Sequence, residues 1–146
     1  TLLLPLQASA QEKWREDTHY KVISEQATEK KEVLEFFSFW CPHCFNFEPL
    51  VKNIKSKLAD DVEFKKVHVN FMGFTSAAIQ DDATKAMMVA RELDKSEELN
   101  QAIFKYIHVS RSAITGMKDL KNQATFTRDM NQDDMIDLIV FLSNKK

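Results

Sequence analysis

No proline follows Pro49, and 146 residues contain only two glycines and two cysteines. The two cysteines are spaced Cys-x-x-Cys, and without a second such pair the zinc-site signal is weak. A formal net charge of -2 offers no basic footprint for nucleic acid. No apolar run is long enough to cross a membrane as a helix. The length allows one domain with a core of modest size. Against these scarcities stands a heavy load of eleven phenylalanines.

The chain is organised around Phe36-Phe37-Ser38-Phe39-Trp40-Cys41-Pro42-His43-Cys44. Apolar and aromatic enrichment over residues 33–40 predicts a buried central strand. Pro42 suits the first turn of a helix, where its missing N–H is not needed. Cys41 is then the helix N-cap, with Cys44 one turn further in. Unpaired N–H groups and the positive end of the helix dipole favour a negative sulfur at that position. The chemistry this suggests is thiol–disulfide exchange.

Before this stretch, Leu2-Leu3-Leu4-Pro5-Leu6 reads as the end of an apolar targeting segment. Ala8-Ser9-Ala10 fits a small-x-small cleavage pattern, so residues 1–10 are expected to be a residual signal peptide, with the mature start at Gln11. Neither Met nor a basic leader precedes it, and the N-terminus reads as truncated. Export would place the cysteine pair in an oxidising compartment. Residues 11–18 are charged, with Trp14 as an anchor, and residues 20–23 (Tyr20-Lys21-Val22-Ile23) suit a short strand. A polar turn follows.

After the central strand, a helix is expected over residues 42–58. Phe47, Leu50, Val51, Ile54 and Leu58 give it an apolar face, and Pro49 a kink near Phe45. Residues 62–70 read as a second central strand, making a parallel βαβ unit. Beyond Gly73, residues 76–93 read as a helix with Ile79, Ala83, Ala86, Met87, Ala90 and Leu93 on one face. A helix capped by Ser96 follows, carrying Leu99, Ile103, Phe104 and Ile107, then a helical turn over residues 118–122. Met87-Met88 reads as core filler. Residues 124–127 suit a short strand. Asn131 caps a last helix with Met135, Leu138, Ile139 and Leu142 as its buried stripe.

Residues 33–44, with Cys41-Pro42-His43-Cys44, followed by His68-Val69-Asn70-Phe71-Met72-Gly73, resemble the DsbA family of periplasmic thiol:disulfide oxidoreductases. The likeness runs from Trp14 to about Arg111 and returns in the last helix. It implies an α/β, thioredoxin-like fold over residues 11–146 with a helical insertion at about 74–122. The family returns from that insertion through a loop with a cis-proline. This chain has no proline there, so the C-terminal part of the sheet is expected to be incomplete, as after an internal deletion. That would leave an uncovered edge prone to aggregation.

The resemblance implies a redox-active Cys41–Cys44 disulfide donated to exported proteins during folding in the periplasm, by a monomer needing no bound cofactor or metal. It also implies reoxidation by a quinone-linked membrane oxidase. Cys41, at the helix start, is the expected nucleophile and Cys44 the resolving thiol. His43 is expected to stabilise the Cys41 sulfur. A carboxylate inside an apolar strand needs a partner. Lys66 on the neighbouring strand is the expected partner of Glu35, and the family suggests that Glu35 relays protons to Cys44. His68 and His108 read as structural histidines and His19 as a surface residue. Trp40 is expected beside the site, with fluorescence that reports its redox state. Phe39 and residues 71–74 read as core packing ahead of a client surface. Two other functions remain open: a shortened, non-catalytic client-binding domain, and a zinc module built on Cys41, Cys44 and a histidine.

Overall fold

The computed structural model describes residues 13–123. The expected signal segment, the strand at 124–127 and the last helix lie outside them. The chain divides into two compact units, Thr1–Lys30 and Lys31–Lys146.

In the first unit, the expected strand at residues 20–23 does not form. Tyr20 makes one isolated bridge to Glu16. A tight local turn takes up the backbone there: Asp17 N–H donates to the Tyr20 carbonyl at 2.8 Å, and His19 N–H to the Arg15 carbonyl at 2.9 Å. Asp17 sits at φ 58. Backbone groups spent on a turn are not free to build a ladder. Trp14 meets His19 edge-on at 5.4 Å.

The second unit carries β1 (Glu32–Phe37), α1 (Pro42–Lys55), β2 (Glu63–His68), α2 (Ala77–Glu92), α3 (Ser96–His108) and α4 (Met117–Lys121). β1 and β2 pair in parallel, from Glu32 beside Glu63 to Phe37 beside His68. Among the described residues these two strands are the whole sheet, in line with the expected incompleteness. β1 is shorter than the apolar run because Ser38 turns the chain: Cys41 N–H donates to the Ser38 carbonyl at 3.1 Å, and Trp40 N–H to Ser38 Oγ at 3.2 Å.

Residues paired side by side in parallel strands share a face. Val33, Glu35 and Phe37 lie with Phe64, Lys66 and His68 on one face; Leu34 and Phe36 lie with Lys65 and Val67 on the other. Only the first face belongs to the core. Phe37 and Phe39 join Ala83, Met87, Leu99, Ile103 and Phe104 there. The expectation of a buried central strand is therefore corrected to one buried on this face alone: Leu34 and Phe36 are exposed.

α1 runs uninterrupted through Pro49. It ends at Lys55, short of the expected residue 58; its inward stripe is Cys44, Phe45, Glu48, Val51 and Ile54, whereas Phe47 and Leu50 are exposed. The expected apolar face was thus turned too far toward Phe47. In α2, Ser76 is the N-cap and accepts from Ile79 N–H at 3.3 Å. Its core face carries Ala83, Ala86, Met87 and Ala90 as expected, while Leu93 and Met88 are exposed. α3 buries Leu99, Ile103 and Phe104. Ser96 is already its first helical residue, Lys95 takes the cap position, and no side chain caps it. The tight turn from α2 explains the shift. Asp94 sits at φ 54, Lys95 N–H returns to the Ala90 carbonyl at 2.7 Å, and the Lys95 carbonyl accepts from Leu99 N–H.

Candidate active site at the start of α1

The parallel register sends Phe37 and His68 out of the same end of the sheet, so Cys41–Cys44 and the loop after β2 share that end. Cys41 is the N-cap of α1, with extended backbone (φ -86, ψ 114) and Pro42 behind it. Both cysteines are free thiols, partly buried.

Burial pushes the Cys41 thiol up, but it is outweighed by the facing Cys44 thiol and the backbone N–H groups of Cys44 and His43, which leave it below its ordinary value. No side-chain hydrogen bond formally caps the helix. The stabilisation comes from first-turn amides and the positive helix end acting on a soft anion. No acidic residue stands in that first turn to oppose it. Cys44 goes the other way. Burial raises it first, and the negative charges of Cys41 and Glu35 raise it further, against a lowering contribution from the Ser38 backbone. Two sulfurs one turn apart are thus driven in opposite directions.

Lys66 Nζ donates to Glu35 Oε2 at 2.8 Å, with both side chains 13% exposed, so Glu35 has the expected partner. Lys66 also pairs with Glu48 of α1, a member the sequence reading missed. The signal for it was spacing: Glu48 lies four residues after Cys44, on the same inward stripe. The Lys66 ammonium sits 4.4 Å from the Phe37 ring centroid, a cation–π contact that offsets part of its desolvation. A cleft of about 930 Å³ runs between α1, β2 and α3, and Glu48 and Lys66 line it.

His43 is exposed, and it is its backbone N–H that acts on Cys41. His68 is buried beneath Trp40, their rings 5.8 Å apart. Thr84 Oγ1 donates to the Gln80 carbonyl at 3.2 Å, so it accepts from His68 Nδ1–H at 3.0 Å. This assigns the Nδ1–H tautomer and leaves Nε2 a buried lone pair without a partner. Burial drives the His68 pKa down to about 4, against the opposing pull of Asp81. His108 Nε2–H donates to the Phe39 carbonyl at 2.7 Å, and its ring stacks on Phe45 at 5.0 Å. Both histidines are structural, as expected, and His19 is exposed. Phe39 is fully buried in the core, whereas Phe71 and Phe74 are exposed, which corrects the expectation that residues 71–74 are core. Among the described residues, no three His, Cys, Asp or Glu side chains gather as a metal site.

Comparison with known proteins follows the same residues. The thioredoxin family model matches residues 11–105. The thiol:disulfide interchange protein DsbA of Haemophilus influenzae is 34% identical over 110 residues, covering 73% of this chain and 51% of that protein. Escherichia coli K12 DsbA is 32% identical over 124 residues, covering 83% and 57%. The chain thus spans little more than half the length of these curated relatives. The Proteus mirabilis DsbA crystal structure superposes with a TM-score of 0.70 at 24% identity, covering 90% of this chain and 68% of that one. A complex of the same protein with the non-covalently bound peptide PWATCDS gives 0.72, with 90% and 69% covered. At this identity the superpositions show the fold alone. By the family match and the fold around Cys41, this chain belongs to the thioredoxin family, and the DsbA proteins are the members it resembles.

Proposed function

We propose that this protein is a thiol:disulfide oxidoreductase that passes a Cys41–Cys44 disulfide to exported proteins folding in the periplasm. The observation that carries this reading is the opposed pair of sulfurs at the start of α1, one favoured as thiolate and the other as thiol. A client thiolate attacks Cys41 Sγ of the oxidised pair. The sulfur–sulfur bond breaks, and Cys44 leaves as a thiolate and takes up a proton. A second client thiolate then attacks the client sulfur of the mixed disulfide, and Cys41 leaves as a thiolate. Two electrons pass from the client dithiol to the pair. A thiolate stabilised by its surroundings is a good leaving group, so the last step runs toward the oxidised client.

His43 supports the Cys41 anion through its backbone amide and, when its ring is protonated, through charge. Glu35, held by Lys66, relays the proton that Cys44 gains or loses. The pair is itself the redox centre, so no bound cofactor is invoked. Renewed oxidation falls to a quinone-linked membrane oxidase, as the DsbA likeness suggests. A cysteine-bearing peptide is bound non-covalently to the related Proteus protein, which supports polypeptides as the client class here.

The test is alkylation of the reduced protein across a pH series, together with oxidation of a dithiol peptide by the oxidised protein. Cys41 is expected to react at pH 7 about tenfold faster than a free cysteine, with a midpoint below the ordinary thiol value, and Cys44 with a midpoint above it. Two thiols that both titrate like free cysteine sink the proposal. A second reading, a client-binding domain without turnover, draws on the exposed Leu34 and Phe36. A folded near-ultraviolet spectrum with no peptide oxidation would select it.

A further inference from the structure

The cleft between α1, β2 and α3, about 930 Å³ in volume, is of the size that encloses small-molecule ligands. α1 and α3 touch at one end, where the Phe45 ring stacks on His108. Beyond that contact the cleft continues to Lys55 at the end of α1 and Ser96 at the start of α3. Val51, Met87 and Phe104, all buried, give it apolar walls. Asn100 lines it too, one turn before Phe104 on α3 and only 5% exposed. Its Oδ1 has no hydrogen-bond partner among the described residues. A buried amide left unpaired is unfavourable. A half-turn about its last side-chain bond exchanges the oxygen and the NH₂, so Asn100 can offer the cleft an acceptor or a donor.

The unclaimed charge around the cleft is mostly positive. Lys66 is spent on Glu35 and Glu48, and Lys65 on Glu32 and Glu63. Lys52 and Lys55, both in the last turn of α1, share one side of that helix. They line the cleft, as Lys105 does from α3, and none of the three has an ion pair among the described residues. Glu97, the remaining carboxylate there, accepts from Gln101 Nε2 at 3.3 Å. Apolar walls, an unpaired amide and two lysines on one rim call for three features in one molecule. We infer that the cleft binds a small amphipathic anion: an apolar chain along Val51, Met87 and Phe104, an amide or hydroxyl group against Asn100, and a carboxylate at Lys52 and Lys55. The site is separate from the cysteine chemistry and stands whether or not the chain exchanges disulfides.

The test is calorimetric titration of the full reduced chain with N-dodecanoylglycine, kept below its micelle concentration. One molecule is expected to bind per chain, and N-acetylglycine, which has the head without the chain, not at all. Two relatives isolate the polar contacts: pentadecanoate, of the same length without the amide, and N-dodecanoylglycinamide, which keeps the amide without the charge. Asn100→Leu removes the unpaired amide and fills its space with an apolar side chain. It should shift the affinity ratio of N-dodecanoylglycine to pentadecanoate about tenfold toward pentadecanoate, equivalent to about 1.4 kcal/mol. Lys52→Gln/Lys55→Gln should shift the ratio of acid to glycinamide about tenfold toward the glycinamide. Both lysines are exposed, so that variant opens no core and still decides the matter if Asn100→Leu fails to fold. Near-ultraviolet circular dichroism verifies each fold. A wild-type chain that binds none of the long-chain probes overturns the inference. Ratios unchanged by the substitutions overturn it as well, by placing the ligand elsewhere. So does self-association of the wild-type chain that the lysine substitutions abolish, which would make a second copy the occupant.

Discussion

Phe36 and Phe37 are neighbours in β1, yet one is 67% exposed and the other 2%. The strand's two faces differ throughout in this way. On the helix side, Phe37 lies beside a buried histidine and a lysine that pairs with two carboxylates, and one of those carboxylates, Glu35, acts on Cys44. On the other side, Leu34 and Phe36 stand in water beside the Glu32–Lys65 ion pair, 2.9 Å long, whose lysine is 37% and whose glutamate is 19% exposed. The usual pattern, apolar in and charge out, is thus partly inverted. Charge is kept inside where it acts on a sulfur, and apolar area is left outside where no described element covers the sheet.

The sharpest way to break this comparison is to truncate each phenylalanine in turn. Phe37→Ala should cost about 4 kcal/mol, from lost burial and the cavity left behind. Phe36→Ser should cost less than about 0.5 kcal/mol, as surface substitutions do. Urea unfolding measures both, and a large loss at Phe36 would mean that its face is covered after all.

The charged side comes next. Lys66→Met leaves Glu35 and Glu48 facing each other without their cation, and should cost about 3 kcal/mol. Lys65→Met on the open face, where the lysine is 37% exposed against 13% for Lys66, should change stability far less. Equal effects in urea unfolding would show that the Glu35–Lys66–Glu48 group is no more buried than the surface pair.

The smallest effect is the pH response of His68. Between pH 6.5 and about pH 4 the unfolded chain binds a proton that the folded protein refuses. Stability is therefore full above pH 6.5 and falls as the pH drops through that window. The loss is about 2 kcal/mol once partial solvation is allowed for. His68→Gln, which has no proton to gain, should flatten that part of the stability curve. An unchanged slope would show that His68 is not held neutral.

Much of the site was legible because it is local. Pro42 and the Cys-x-x-Cys spacing place both sulfurs in one helical turn, and a parallel pairing of the two apolar strands already brings Lys66 beside Glu35. Glu48 was hidden because its role depends on which way α1 is rolled, and Phe47 and Leu50 suggested another roll. Tyr20 and Ile23 resembled a strand, but a strand is defined by its pairing partner, and the Glu16–Tyr20 turn removed the opportunity. The cap at Ser96 was misplaced by one residue because Asp94 turns the chain back before Lys95.

The order of elements, the position of Cys41 at a helix start and the lysine–carboxylate pair follow from the sequence alone, since each depends on spacing within a turn or register along a strand. Tertiary structure decided the rest: which face of β1 meets the helices, that His68 loses its proton, and that Asn100 is buried at a cleft with no partner for its Oδ1 among the described residues. These depend on burial, and burial is set by what distant segments cover.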